Sequence, residues 1–249
     1  DRLDDPSAYR QLDITDEERI ERFKEYGYGG NVSDALHGKF GVDDTVLADK
    51  FTPLEAGMTL AGRAIPVKLH SKVPTAERGE LEGEDDEGIH PQRRMMETIA
   101  EMDDGTILCF DCGGDTQPAQ FGELSCNLAY QQGCRGMMVA GNMRDTRYVL
   151  RMDDFPAYSY GTTPNAYGGW EITEVNQPIW LEGHITHYVG VYPGDFIFAD
   201  RDGGQVIPGP IVDEVLLEVE ETHEKEEEER EKIRGGMTVE EVYEECGVL

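Results

Sequence analysis

Basic side chains are scarce in this chain. Only 22 Lys and Arg stand against 52 Asp and Glu in 249 residues, a formal net charge of −30. That deficit argues against nucleic acid or an anionic membrane as a partner, because phosphate contacts are made by Lys and Arg. Long apolar runs are also missing. No stretch reaches the roughly eighteen apolar residues of a membrane span, and the polar opening Asp1-Arg2-Leu3-Asp4-Asp5 has neither an initiator Met nor a secretory apolar segment. A soluble, cytoplasmic chain with a processed or trimmed terminus is expected. Cysteine is sparse and odd in number, at positions 109, 112, 126, 134 and 246. This fits reduced, buried thiols rather than a disulfide framework. Cys109 and Cys112 match a C-x-x-C pattern, but they sit in the apolar run Thr106-Ile-Leu-Cys-Phe-Asp and no second pair follows. That argues against a zinc site.

No Gly/Ser- or Pro-rich linker divides the chain, so one domain with terminal arms is expected: residues 1–14, a core of 15–210 and a helical tail of 211–249. The acids are dispersed along the whole length, and Arg outnumbers Lys fifteen to seven. This composition resembles cytoplasmic proteins of halophiles, which accumulate salt. At molar salt the Debye length is about 3 Å, so self-repulsion between like charges is screened.

The element pattern is α/β. Thr15 followed by Glu18 predicts a capped helix, and Asn31 or Ser33 is expected to cap a second. Residues 62–69 read as a strand made edge-like by Pro66. The charged stretch 80–88 reads as a solvated loop, residues 90–102 as a helix, and His90, Arg93 and Arg94 as helix surface. A strand at 105–111 then leads to Gly113-Gly114-Asp115. Alternating strands and helices imply at least some parallel pairing. From Ile172 onward short strands follow each other closely, at 179–181, 185–191, 196–200 and 205–207, as in a second sheet or a barrel-like layer. Residues 211–234 read as a long helix whose apolar first half packs and whose charged second half projects.

Residues 121–145, FGELSCNLAYQQGCRGMMVAGNMRD, carry the densest chemistry. The Gly122-Glu123-Leu124-Ser125 turn precedes a helix-like run at 129–133, where backbone amides and the helix dipole favour a carboxylate or phosphate. Residues 136–141 read as a buried strand ending just before Arg144 and Asp145. Arg144 offers a planar, permanently charged fork, and Asp145 a hard oxygen for a divalent cation. Ligands of open α/β sheets collect at such carboxyl ends.

Eight pieces in order resemble the RraA-like family: Asn31-Val-Ser-Asp-Ala-Leu, Gly113-Gly-Asp, Phe121-Gly-Glu-Leu, Arg144-Asp145, Gly161-Thr-Thr-Pro, Glu174-Val-Asn-Gln-Pro-Ile, Pro193-Gly-Asp and Ala199-Asp-Arg-Asp-Gly. The resemblance implies a swivelling β/β/α fold, here with a long C-terminal helical extension, assembled as trimers or hexamers with sites between subunits. It also implies a class II, metal-dependent aldolase that releases pyruvate from a 4-hydroxy-2-oxo acid and decarboxylates oxaloacetate. The alternative within the family is a non-catalytic regulator that binds ribonuclease E. Carried over by position, Gly122, Glu123, Leu124 and Ser125 hold the substrate carboxylate, Arg144 binds the 2-oxo acid, and Asp145 holds Mg²⁺ or Mn²⁺. The metal stabilises a pyruvate enolate as a Lewis acid. A metal-polarised water or Glu123 is the available base, and with no Lys beside the motif a Schiff-base route is disfavoured. A methyltransferase is disfavoured because no strand-linked G-x-G-x-G loop is present.

Two departures from the family pattern stand out. Glu123 occupies the position where the aldolases usually carry Asp. The stretch containing His184 and His187 is longer than expected, and these two histidines are either further ligand contacts or hairpin residues. On a strand, their spacing of three would place them on opposite faces.

The charge balance generates the first prediction. The melting temperature should rise steadily from dilute buffer to molar KCl, measured by calorimetry, and an unchanged value would overturn the salt-adapted reading.

Overall fold

The computed structural model describes residues 6–71, 91–101, 104–166 and 170–246. Its frame is a nearly closed mixed sheet of nine strands, flanked by helices and followed by a long C-terminal helix. In chain order the elements are α1 (Asp16–Tyr26), α2 (Gly29–Asp34), β1 (Thr52–Pro53), β2 (Leu60–Ser71), α3 (Pro91–Ala100), β3 (Thr106–Asp111), β4 (Ala119–Phe121), α4 (Glu123–Gln131), β5 (Cys134–Met143), α5 (Thr146–Val149) and β6 (Ala157–Thr162). There follow β7 (Trp170–Val175), β8 (Ile179–Glu182), β9 (Tyr188–Val191), β10 (Phe196–Asp200), β11 (Gly203–Ile207), α6 (Val212–Arg234) and α7 (Val239–Glu245). The sheet runs β1-β6-β5-β3-β2-β10-β11, with β4 on β5 and β7 on β2.

Strands β2, β3, β5 and β6 are mutually parallel. Their side chains alternate between two cores, as the two-residue period of a strand requires. Leu108, Phe110, Met137 and Val139 meet α3 and α4 through Ile99, Cys126 and Ala129. Ile107, Cys109, Met138 and Ala140 meet the β8–β9 ribbon through Ile179, Leu181, Val189 and Val191. Strands covered on both faces read as unbroken apolar runs, which is why β3 and β5 stand out in the sequence. A third cluster packs α1, α2 and α6 against β10 and β11, centred on Phe23, Phe196, Phe198 and Leu216.

Several expectations are corrected. β2 is not an edge strand: it pairs with β3 on one side and with β10 and β7 on the other. Arg63 donates its amide toward the β3 side, to Gly105, and Ala64 toward Asp195 on the other. By that alternation Pro66 turns its nitrogen into the gap between β10 and β7, where a missing donor costs no ladder bond. Neither Asn31 nor Ser33 caps α2. Tyr28 precedes it, and Asn31 lies inside, its Oδ1 accepting from the Tyr28 amide at 2.9 Å. Of the late strands only β8 and β9 form a separate sheet, because β7, β10 and β11 join the main one. The charged half of α6 does not simply project: Glu220 takes a bidentate pair from Arg22 at 2.6 and 2.7 Å, and Glu226 accepts from Tyr28. The predicted loop at 80–88 and His90 lie outside the described residues, while Arg93 is exposed on α3. No helix among the described residues is long and apolar enough to cross a membrane.

The N-terminal segment is fastened to α6 through a buried ion pair. Arg19 Nε meets Asp213 Oδ1 at 2.7 Å, Nη2 meets Oδ2 at 3.1 Å, and Nη1 reaches Ile14 O and Asp16. Asp213, 2 % exposed, also accepts the Leu12 amide at 2.8 Å. Burial pushes the Asp213 carboxyl up, but hydrogen bonds from Arg19 and Leu12 outweigh it and hold the group below its ordinary value. The stabilisation is therefore present at pH above the unfolded value of about 3.9, and it is lost as pH falls through the lower native value. Arg19→Ala, which strands a buried carboxylate, should cost about 3–5 kcal/mol in urea unfolding at neutral pH. Asp213→Asn should show a shallower loss of stability than wild type on acidification below about pH 4.

Candidate functional site

The site forms where β5 ends. The Arg144 amide donates to Phe121 O at 2.9 Å, tying the end of β5 to the end of β4 and bringing the two halves of the 121–145 stretch together. Gly122 caps α4, which starts at Glu123 rather than near residue 129 as expected from the sequence. The first backbone bond of that helix is Cys126 to Gly122 O at 3.1 Å, so the Glu123 and Leu124 amides precede it and lie in the electropositive first turn.

Gly122 leaves room for a close approach of side chains. A Cβ there would lie 2.6 Å from Asp145 Oδ2 and 3.2 Å from Arg144 Nε. The Arg144 and Asp145 heads thus sit directly on the helix cap, with Nε and Oδ2 3.5 Å apart and both side chains partly exposed. Asp145 adopts a left-handed backbone, φ 55 and ψ 24, and although it precedes α5 its side chain makes no capping bond. Glu123 is half-buried, its Oε1 held by Asn127 Nδ2 at 2.6 Å. Ser125 is half-buried on α4, whereas Leu124 is 80 % exposed.

The sequence reading missed the strut behind this cluster. Buried Asn142, one residue before the end of β5, takes Gln120 Oε1 on its amide at 2.8 Å and donates Nδ2 to Thr116 O. Gln120 in turn donates to Asp115 O at 2.9 Å, so the loop containing Gly113-Gly114-Asp115 is pinned beside the site. A polar residue closing an otherwise apolar strand was the available signal. Lys68 also escaped notice. It stands at the same carboxyl end of the sheet, two strands from β5, with its ammonium on Asp111.

The profile of the RraA-like family, described as Aldolase/RraA, matches residues 30–206, more than half of the chain. The chain belongs to the RraA-like family. A 4-hydroxy-4-methyl-2-oxoglutarate aldolase of Thermus thermophilus is 32% identical over 116 residues, 47% of this chain and 67% of that protein. A relative from Halalkalibacterium halodurans is 32% identical over 114 residues, and the match spans about half of that protein's length, 51%. Among solved structures, Streptomyces coelicolor RraAS2 superposes with a TM-score of 0.67 at 20% identity, covering 88% of this chain and all of that one, a likeness of fold.

In this RraA-like chain His184 and His187 do not lie on a strand. They occupy the exposed turn between β8 and β9, where the His184 amide donates to Val46 O at 2.9 Å. The ribbon covers the sheet face opposite the one that meets α4, so the turn holding both histidines belongs to the other layer from the α4 cap. Cys109 and Cys112 are buried, and burial raises both thiols, which keeps them protonated and unreactive. Among the described residues no group of three His, Cys, Asp or Glu converges.

The backbone at Asp145 is testable apart from any activity. A left-handed conformation costs an ordinary L-residue about 1–2 kcal/mol, and Gly escapes it. Asp145→Ala should therefore be less stable than Asp145→Gly by about 1 kcal/mol in denaturant unfolding.

Proposed function

We propose that this chain is a divalent-metal-dependent lyase that cleaves a 4-hydroxy-2-oxo acid by a retro-aldol step, releasing pyruvate, with oxaloacetate decarboxylation as a side activity. The observation that carries this reading is the seating of Arg144 and Asp145 on the Gly122 cap of α4. Helix-start amides suited to an anion, the Arg144 guanidinium and the partly exposed Asp145 carboxylate beside it support this reading.

The donor chemistry fits Mg²⁺ or Mn²⁺. Asp145 is partly exposed and makes no capping bond, and Glu123 is the second carboxylate bordering the turn, so the available donors are hard oxygens without thiol or imidazole. One or two carboxylates plus water and substrate oxygens are what Mg²⁺ accepts. When bound, the ion supplies Lewis-acid stabilisation of negative charge on the 2-oxo group. Asp145 would hold it. The Glu123 and Leu124 amides, with Gly122 and Ser125 completing the turn, receive the substrate carboxylate. The Arg144 guanidinium lies against the 2-oxo oxygen and favours the charge that develops there. Glu123, with Oε1 held by Asn127, offers Oε2 as acceptor for the substrate's hydroxyl proton. Lys68 is engaged with Asp111, which disfavours an amine-based route.

The same face carries exposed Leu124 and Leu128 on α4 and Tyr148 on α5. Apolar surface beside a charged site is suited to burial by a neighbouring subunit. A homotrimer or homohexamer with the site at the subunit boundary is the assembly proposed.

Purified protein in molar KCl with Mg²⁺ or Mn²⁺ should release pyruvate from at least one member of a hydroxy-oxo acid panel that includes oxaloacetate. Silence across the panel would overturn the proposal. Arg144→Ala should lower kcat/KM about 10²–10³-fold. Asp145→Ala should also weaken Mn²⁺ binding read by electron paramagnetic resonance, whereas Arg144→Ala should retain it.

A further inference from the structure

The outer face of the β8–β9 ribbon is aromatic where solvent-facing strands are ordinarily polar. In register, Trp180 lies opposite Gly190 and Glu182 opposite Tyr188. Tyr188, Gly190 and Tyr192 alternate onto one side, while Val189 and Val191 turn inward to the core. Trp180, Tyr188 and Tyr192 are 53 %, 62 % and 40 % exposed. Gly190 lets two of these rings converge: a Cβ there would come 2.9 Å from the Tyr192 ring and 3.6 Å from Trp180 Nε1. The platform forms one wall of an open cleft of about 790 Å³. Pro193, Pro208 and Pro210 line it further, exposed Asp43 and Asp44 also border it, Asp43 being paired with His37, and among the described residues neither Lys nor Arg lines it.

We infer that this cleft is a docking site for an extended, proline-rich peptide segment bearing a basic residue. Three properties select that occupant. Rigid Trp and Tyr faces lose little conformational entropy on contact and pack well against proline rings. Tyr192 follows directly on β9, so Tyr188 and Tyr192 are four residues apart, about 13 Å if extended, which about four residues of polyproline II helix span at 3.1 Å each. At contact distance, where salt screens least, the acidic rim and electron-rich rings favour an Arg or Lys head through charge and cation–π attraction. The cleft lies on the sheet face opposite α4, so it does not draw on the residues of the proposed lyase site.

Calorimetric titration of the full chain with the peptide Arg-Pro-Leu-Pro-Pro-Leu-Pro tests the inference, in salt at which the protein is folded. The expected result is saturable binding with Kd on the order of tens of micromolar, weakened at least about tenfold by Trp180→Ala and by Tyr188→Ala. Asp44→Lys, a surface change that leaves the core intact, should weaken binding of this peptide and not of the same peptide with Glu in place of its Arg. Absence of saturable heat, equal binding of a peptide with alanine at every proline, or insensitivity to all three substitutions would each overturn it.

Discussion

The structure depends on β5 being buried on both faces. A strand in that position has no freedom to slip, because a shift of one residue would exchange the side chains that meet α4 with those that meet the β8–β9 ribbon. Its C-terminal end is therefore fixed relative to both layers. Arg144 and Asp145 inherit that fixed position, and the single bond from the Arg144 amide to Phe121 O transmits it to the start of α4. The polar strut from Asn142 through Gln120 to Asp115 extends the same rigidity to the neighbouring loop.

Much of this was legible in the sequence. The apolar runs at 106–110 and 136–141 identified two buried strands, and the structure sets the Arg-Asp pair at the end of the second, beside the start of α4. What was not legible came from pairing across distance. Pro66 reads locally as an edge signal, yet it sits inside the sheet because two different strands share one side of β2 and leave a gap at its nitrogen. The helix start at Glu123 was placed too late because a glycine cap leaves no side-chain signature, and the side chain packed most closely against it, Asp145, lies more than twenty residues away. His184 and His187 were read either as ligand contacts or as hairpin residues; β9 begins only at Tyr188, which leaves both in the hairpin turn.

The distribution of charge has a structural logic beyond solubility. The few basic residues are spent at specific joints: Arg19 on Asp213, Arg22 on Glu220, Lys39 on Glu218, Arg63 on Asp16 and Lys68 on Asp111. Arg144 differs from these, since its near carboxylate is its own neighbour Asp145, 3.5 Å away and partly exposed.

The joints between α6 and the first forty residues bear on how the molecule comes into being. Arg19 and Asp213 are 194 positions apart, and Arg22 and Glu220 198. On the ribosome, α1 and α2 emerge before α6 with Phe23 and Leu36 uncovered, and nearly two hundred residues must follow before α6 arrives to close over them. Contacts of such separation slow the final step of folding. The nascent chain must therefore stay soluble with one core open until that closure is made.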